Sequence, residues 1–241
     1  MTKTLITFSS EITVKLVDSM ARDSTVIHAA KVSTLGDRAD SLYVAPEDQS
    51  NAGLINYLMR DRHGSPFEHN AFTFFVKAPI FVFREFMRHR IASYNEESGR
   101  YSVLKPEFYI PGNGRNMVQE GKPGAYNYVP GFPSQVAATQ AAHKVTSREA
   151  YERYDYLLKL GIAQEVARMS LPLNIYSSMY VTMNARALMN FLSLRVKSDI
   201  STYRSFPQRE IEMAAEQMEA KFARLMPLTY DAFINHGRVA P

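Results

Sequence analysis

The stretch Phe72-Thr73-Phe74-Phe75-Val76-Lys77-Ala78-Pro79 runs straight into Ile80-Phe81-Val82-Phe83-Arg84-Glu85-Phe86-Met87 and then into Arg88-His89-Arg90-Ile91-Ala92-Ser93-Tyr94-Asn95-Glu96-Glu97-Ser98-Gly99-Arg100-Tyr101. Alternation of Phe72, Phe74 and Val76 predicts a strand over Asn70 to Lys77. Pro79 stands where proline is tolerated, in the first turn of a helix expected to run to about Arg90. That helix is nearly all apolar and so reads as buried, yet it ends in Arg88-His89-Arg90. Arg84 and Arg88 fall one turn apart, where like charges repel by roughly a few tenths of a kcal/mol. Arginines cornered at the end of a buried helix need anions. Glu85, Glu96 and Glu97 can supply them internally. A bound phosphate is the other source, because guanidinium forks match phosphate oxygens in pairs. Ser93, Ser98 and the flexible Gly99 suit a phosphate turn. Composition and spacing leave both sources open.

Outward from this segment, residues 4 to 17 hold two short alternating stretches that read as strands, and Ser24 to Val32 and Glu47 to Arg62 read as helices. Downstream, a short strand is expected at Phe108 to Ile110. The Gly-, Pro- and Asn-rich stretch from Glu107 to Pro133 otherwise reads as a long surface excursion over 111–133. Ser134 to Leu160 has the pattern of a long helix ended by Gly161, and Ala163 to Ser170 that of a short one stopped before Pro172. A strand at Ile175 to Met183 and helices at Asn184 to Val196 and Gln208 to Met226 complete the pattern. Long helices with few, irregularly placed strands predict an α+β fold: a mixed, mostly antiparallel sheet with long helices packed around it. No linker is legible, so residues 1–241 are expected to form a single domain.

The 241 residues contain no cysteine, which excludes disulfides, thiolate metal sites and any cysteine nucleophile. Net charge is +4, mildly basic. No apolar run reaches the ~20 residues of a membrane span, and the N-terminus lacks signal-peptide features, so a cytoplasmic location is expected. Glu68 and His69 lack a second ligand pair at metal spacing, so no metal is expected. Ser98 has no readable His–Asp relay, which favours binding over nucleophilic attack. A lone His63 is ordinarily structural or exposed, and Asn184 can simply cap the helix it precedes. A non-catalytic RNA- or DNA-binding module is the rival reading. The arginines interleaved with Tyr94, Tyr101 and Tyr109 support it, whereas Glu96 and Glu97 inside the patch count against it.

Arg88, His89, Arg90, Ser93, Ser98 and Arg100 fill every fixed position of a pattern: Arg-His-Arg, two residues, Ser, four residues, Ser, one residue, Arg. In it the chain resembles the flavin-dependent thymidylate synthases. Further resembling blocks stand in order at His63 to His69, at Glu165 to Arg168 before Leu171-Pro172-Leu173-Asn174, and at Asn184 to Arg195, so the likeness covers roughly residues 10 to 235. The resemblance implies reductive methylation of dUMP to dTMP. FAD would be the cofactor, with 5,10-methylenetetrahydrofolate and NADPH as co-substrates, and no protein nucleophile would be required. It further implies that Arg88, Glu96, Ser98, Gly99, Arg100, Arg168 and Arg195 bind dUMP, with Arg195 as the electrophilic catalytic residue. His63, Ser65, Arg88, His89, Arg90, Asn184, Arg186 and Asn190 are implied as FAD ligands. A homotetramer holding its ligands where subunits meet is implied too, with no nucleic-acid or membrane partner. A nucleotide-binding flavoprotein with another substrate is the remaining alternative. Two positions depart from the family pattern. Glu85 stands where Gln is frequent, and a flavin-binding His is missing from Lys197 to Ser205, where Tyr203, Arg204 or Phe206 is a candidate to replace it by stacking.

Overall fold

The computed structural model describes residues 5–39, 41–44, 51–123 and 125–241. Its strands are β1 (Thr7–Ser9), β2 (Thr13–Ser19), β3 (Phe72–Pro79), β4 (Ser93–Glu96), β5 (Glu107–Tyr109), β6 (Val118–Lys122), β7 (Ala125–Val129) and β8 (Tyr176–Met183). Its α-helices are α1 (Asp23–Leu35), α2 (Ala52–Arg60), α3 (Ile80–Phe86), α4 (Pro133–Lys159), α5 (Gln164–Ala167), α6 (Ala185–Arg195), α7 (Arg209–Leu225) and α8 (Pro227–Asn235). The fold is α+β, as expected. The chain divides into two compact units, each assembled from segments distant in sequence.

The first unit takes in the described residues up to Ile12, Lys77–Phe86 and Glu96–Met179. Strands β1 and β5 pair in parallel, Thr7 opposite Glu107 and Ser9 opposite Tyr109, and Phe108 bridges to Ile175. Around them Leu104, Phe108, Tyr151, Tyr154, Ala167 and Ile175 form the core. Helix α3 starts well satisfied: the N–H groups of Ile80 and Phe81 donate to the carbonyls of Ile175 (3.0 Å) and Leu173 (3.1 Å). The long α4 ends on Gly161 at φ 79°, with Gly161 N–H bonded to Leu158 O and Ile162 N–H to Leu157 O.

The second unit takes in the described residues of Thr13–Val76, Met87–Asn95 and Tyr180–Pro241. It holds β2 and residues 72–76, 180–183 and 93–95 of a four-stranded sheet ordered β2-β3-β8-β4. Phe72, Phe74 and Val76 are fully buried on one face of β3. Thr73 on the other face shares a hydroxyl bond with Thr182 of β8 (3.0 Å). Helix α7 buries Ile211, Ala214, Ala215, Met218 and Phe222 and packs on β2, α6 and α8. Asp23, the first residue of α1, is buried and accepts from Leu228 N–H, Thr229 N–H and Thr229 Oγ1–H at 2.6–2.9 Å. One carboxylate thereby closes the N-terminus of α8, although burial pushes its pKa upward.

Several expectations are corrected. Pro79 closes β3 rather than opening the helix, and α3 stops at Phe86 rather than near Arg90. The segment beyond it is not all turn, because Ser93–Glu96 is strand β4. The excursion holds an antiparallel ribbon, β6 with β7, registered from Val118 opposite Val129 to Lys122 opposite Ala125. The short helix after Gly161 divides into α5 and a 3-10 turn at Arg168–Ser170. Pro227 ends α7 but also occupies the first turn of α8, a helix the sequence reading did not foresee. Residue 4, at the start of the N-terminal strands, and residues 47–50 of the helix expected at Glu47 to Arg62 lie outside the described residues.

Replacing Asp23 by Ala strands two backbone donors and a buried hydroxyl, so Asp23→Ala should cost about 2 kcal/mol or more in urea unfolding. Asp23→Asn, which keeps one acceptor, should cost less.

Candidate functional site

In the first unit the expected substrate residues gather around the end of β4. Glu97 N–H donates to Ser178 O (2.8 Å), and the chain then turns on Ser98, whose carbonyl accepts from Tyr101 N–H and Ser102 N–H. Ser98 Oγ accepts from Arg100 N–H at 3.3 Å, so its hydroxyl serves the turn itself. Gly99 is buried, and a Cβ there would lie 3.1 Å from Leu104 Cδ1 and 3.3 Å from Arg168 Cδ. A side chain at this position would press on both neighbours. Arg100 is exposed, pairs with Glu165 at 3.0 Å and lies 5.4 Å over the Tyr101 ring. Glu96 is half-buried. Burial pushes its carboxyl pKa up, while the neighbouring Ser177 hydroxyl and the charges of Arg84 and Arg168 act against that rise. Ser177, which supplies that hydroxyl, is itself buried. Arg84 and Arg168 are exposed and enter no ion pair among the described residues.

In the second unit the chain leaves Met87 through an irregular turn that holds Arg88, His89 and Arg90. Tyr94 OH donates to His89 O (2.7 Å) and fixes the turn from β4. The His89 ring meets Phe191 edge-on at 4.8 Å, and its Nε2 accepts from Arg195 Nε–H at 3.0 Å. An acceptor at Nε2 places the ring proton on Nδ1 and makes the imidazole neutral. Burial, and next the Arg195 charge, pull its pKa down from 6.5 to about 4. Arg88 and Arg90 are exposed on either side and enter no ion pair among the described residues.

Helix α6 brings further expected residues. Asn184 caps it, its Oδ1 accepting from Ala187 N–H (2.8 Å), while the buried Asn70 Oδ1 accepts from Ala185 N–H (2.6 Å). Arg186 donates from Nη1 to Glu68 Oε1 and from Nε to Pro241 O, both at 2.6 Å, and its guanidinium lies flat on Gly64, where a Cβ would meet Cζ at 2.6 Å. Asn190, His63 and Ser65 are exposed, and His63 stacks on Tyr57 at 5.5 Å. Where the family histidine is missing, Thr202 N–H is bonded to Gly237 O, Ser205 Oγ–H to Val196 O and Lys197 N–H to Glu212 Oε1. Tyr203 and Phe206 are left strongly exposed, as is Arg204.

Sequence reasoning missed the residues that hold these in place: Tyr94, Phe191, Asn70 and Ser177. Only Tyr94 lay inside the motif, and nothing in its spacing announces a bond to a backbone carbonyl. An open depression of about 460 Å³ on α1, lined by residues including His28, Asp37 and His69, includes none of the expected site residues. No helix among the described residues is long and apolar enough to cross a membrane.

A family profile described as Thymidylate synthase complementing protein matches residues 15–228. A flavin-dependent thymidylate synthase of Streptomyces avermitilis is 58% identical over 236 residues, covering 97% of this chain and 95% of its own. That of Tropheryma whipplei is 56% identical over 237 residues, 97% of each. A solved UMP/dUMP methylase, PolB from Streptomyces cacaoi, bound with 5-Br dUMP superposes with a TM-score of 0.92 at 52% identity, over 98% of this chain and 100% of its own.

The depressed pKa of His89 has a defined sign. Its unfolded imidazole takes up a proton near pH 6.5 and the folded one only near 4, so the unfolded state binds more protons between those values. Stability should therefore fall as pH drops from 6.5 toward 4, and His89→Asn should flatten that part of the slope in denaturation measured across this window.

Proposed function

The chain belongs to the flavin-dependent thymidylate synthase family, and on that premise we propose that it methylates dUMP to dTMP, with 5,10-methylenetetrahydrofolate as carbon donor and NADPH as reductant through FAD. The observation that carries this reading is the pair of exposed guanidiniums, Arg88 and Arg90, on either side of a neutral His89 and without carboxylate partners among the described residues. Such a pair matches the oxygens of a dinucleotide diphosphate. Asn184 uses only its oxygen as a helix cap, leaving its amide NH2 for a ligand, and Asn190, His63 and Ser65 present exposed polar edges. The donor set thus suits FAD. Arg186 contributes by fixing Glu68 and the backbone at Gly64.

Held by these residues, FAD would supply the reducing chemistry, which accounts for a synthase without any cysteine. The chain's own residues bind and polarise. In the first unit Ser98, Gly99 and Arg100 form the phosphate-facing turn, and Glu96 and Arg168, the latter from the 3-10 turn at Arg168–Ser170, are further dUMP residues; in the second, Arg88 and Arg195 are the residues proposed for dUMP. Arg195, oriented by its bond to His89, stabilises negative charge at the uracil carbonyl edge.

The whole chain acts as one synthase domain, in keeping with the near-complete coverage of its relatives. It assembles as a homotetramer in the cytoplasm. Tyr101 (78% exposed), Met169 (78%) and Ile91 (76%) stand bare beside or within the site segments, apolar surface that a partner copy would cover. A second reading, that UMP is accepted alongside dUMP, is favoured by the solved relative PolB, named a UMP/dUMP methylase and bound with 5-Br UMP in one structure and 5-Br dUMP in another. The ratio of kcat/KM for the two nucleotides decides it.

The purified protein should bind FAD, turn yellow, and lose its absorbance near about 450 nm on adding NADPH; a colourless protein that refuses FAD would overturn the proposal. Arg195→Ala should lower kcat by about 10²–10³ at saturating dUMP. Gly99→Ala, whose new Cβ presses on Arg168, should raise KM for dUMP while kcat holds within about threefold.

A further inference from the structure

Three helices end in the same double hydrogen bond, which requires one residue in the left-handed region. After α4 that residue is Gly161 (φ 79°), and after α8 it is Gly237 (φ 68°). After α2, Arg62 N–H bonds to Met59 O (3.3 Å) and His63 N–H to Leu58 O (2.9 Å), and the left-handed residue is Arg62 at φ 64°. A side chain there is sterically penalised where glycine is not. The other non-glycine at positive φ among the described residues, Arg238, has its reason in the fold: its guanidinium is buried and paired twice with Glu219. Arg62 has no such reason. It is exposed and enters no ion pair among the described residues, and the adjacent Asp61 is engaged by Arg60 through two bonds of 2.8 and 3.0 Å.

Aromatic surface lies beside it. Tyr57 carries His63 stacked on its ring at 5.5 Å and Arg60 Cζ at 5.4 Å from its centroid, which makes a flat aromatic platform. Arg62 adds an unneutralised guanidinium directly before His63. The closing bonds of α2 need the left-handed angle but not a side chain, and a side chain kept at a penalised angle is found where a ligand is held; a fork of N–H donors with no carboxylate of its own among the described residues matches an oxyanion.

We propose that Arg62 is an oxyanion-binding residue that grips the anionic end of one of the reaction's co-substrates. This deepens the reading of the reaction above and rests on it. Two sources offer that chemistry: the glutamate carboxylates of the folate and the phosphates of the nicotinamide dinucleotide.

The test uses the FAD-loaded enzyme and the Arg62→Gly variant. Removing the side chain relieves the left-handed strain, so the melting temperature should rise, while KM for one anionic co-substrate should rise about tenfold and KM for dUMP should stay unchanged. Arg62→Lys should recover part of the lost affinity. A rise confined to methylenetetrahydrofolate identifies the carboxylate, and one confined to NADPH identifies the phosphates. A variant that is merely more stable, with both co-substrate KM values within about twofold of the unsubstituted enzyme, overturns the proposal. So does an equal rise in KM for dUMP. Failure of the unsubstituted enzyme to form dTMP would instead overturn the reading of the reaction.

Discussion

Arg195 can donate to His89 only while that imidazole is uncharged, and burial against Phe191 keeps it so. This one contact joins the C-terminal end of α6 to the turn after Met87, residues 106 apart in sequence. With Tyr94 holding the carbonyl of the same histidine, the turn has a fixed course. His89 points inward, so Arg88 and Arg90 are left facing water. A protonated His89 would set two cations against each other in a half-buried place, and the turn would lose its inner anchor. The cationic surface therefore depends on a neutral residue at its centre.

That arrangement explains why a synthase can do without a thiol. Ser98 Oγ accepts from its own turn, and His89 Nε2 accepts from Arg195. In the proposed function these groups bind and polarise, which is what a protein contributes when a cofactor carries the reducing chemistry. Gly99 and Gly64 serve the same end by close approach, one beside Arg168 and the other beneath Arg186.

What was legible in the sequence followed from periodicity. Strand β3 showed itself through Phe72, Phe74 and Val76, and helices α4, α6 and α7 through their apolar spacing and terminal glycine, asparagine and proline. The end of α3 was hidden because Met87 and Arg88 are good helix formers, and the stop is imposed by tertiary bonds to His89. Strand β4 was hidden because Ser93-Tyr94-Asn95-Glu96 has no apolar alternation. The β6–β7 ribbon lay within glycines and prolines that read as irregular chain. Helix α8 is hidden because a proline directly after Met226 reads equally as the stop of the preceding helix, while the carboxylate that caps it, Asp23, lies more than two hundred residues away. Motif residues were legible by their resemblance to a family, but their partners were not. A backbone angle such as that of Arg62 leaves no mark in a sequence that has arginine where glycine would fit.

The most direct measurement is label release from C5-tritiated dUMP incubated with the FAD-loaded protein, methylenetetrahydrofolate and NADPH. The account predicts tritium release matched by dTMP formation. Binding of FAD and dUMP with no release of label, under conditions where NADPH reduces the flavin, would contradict it.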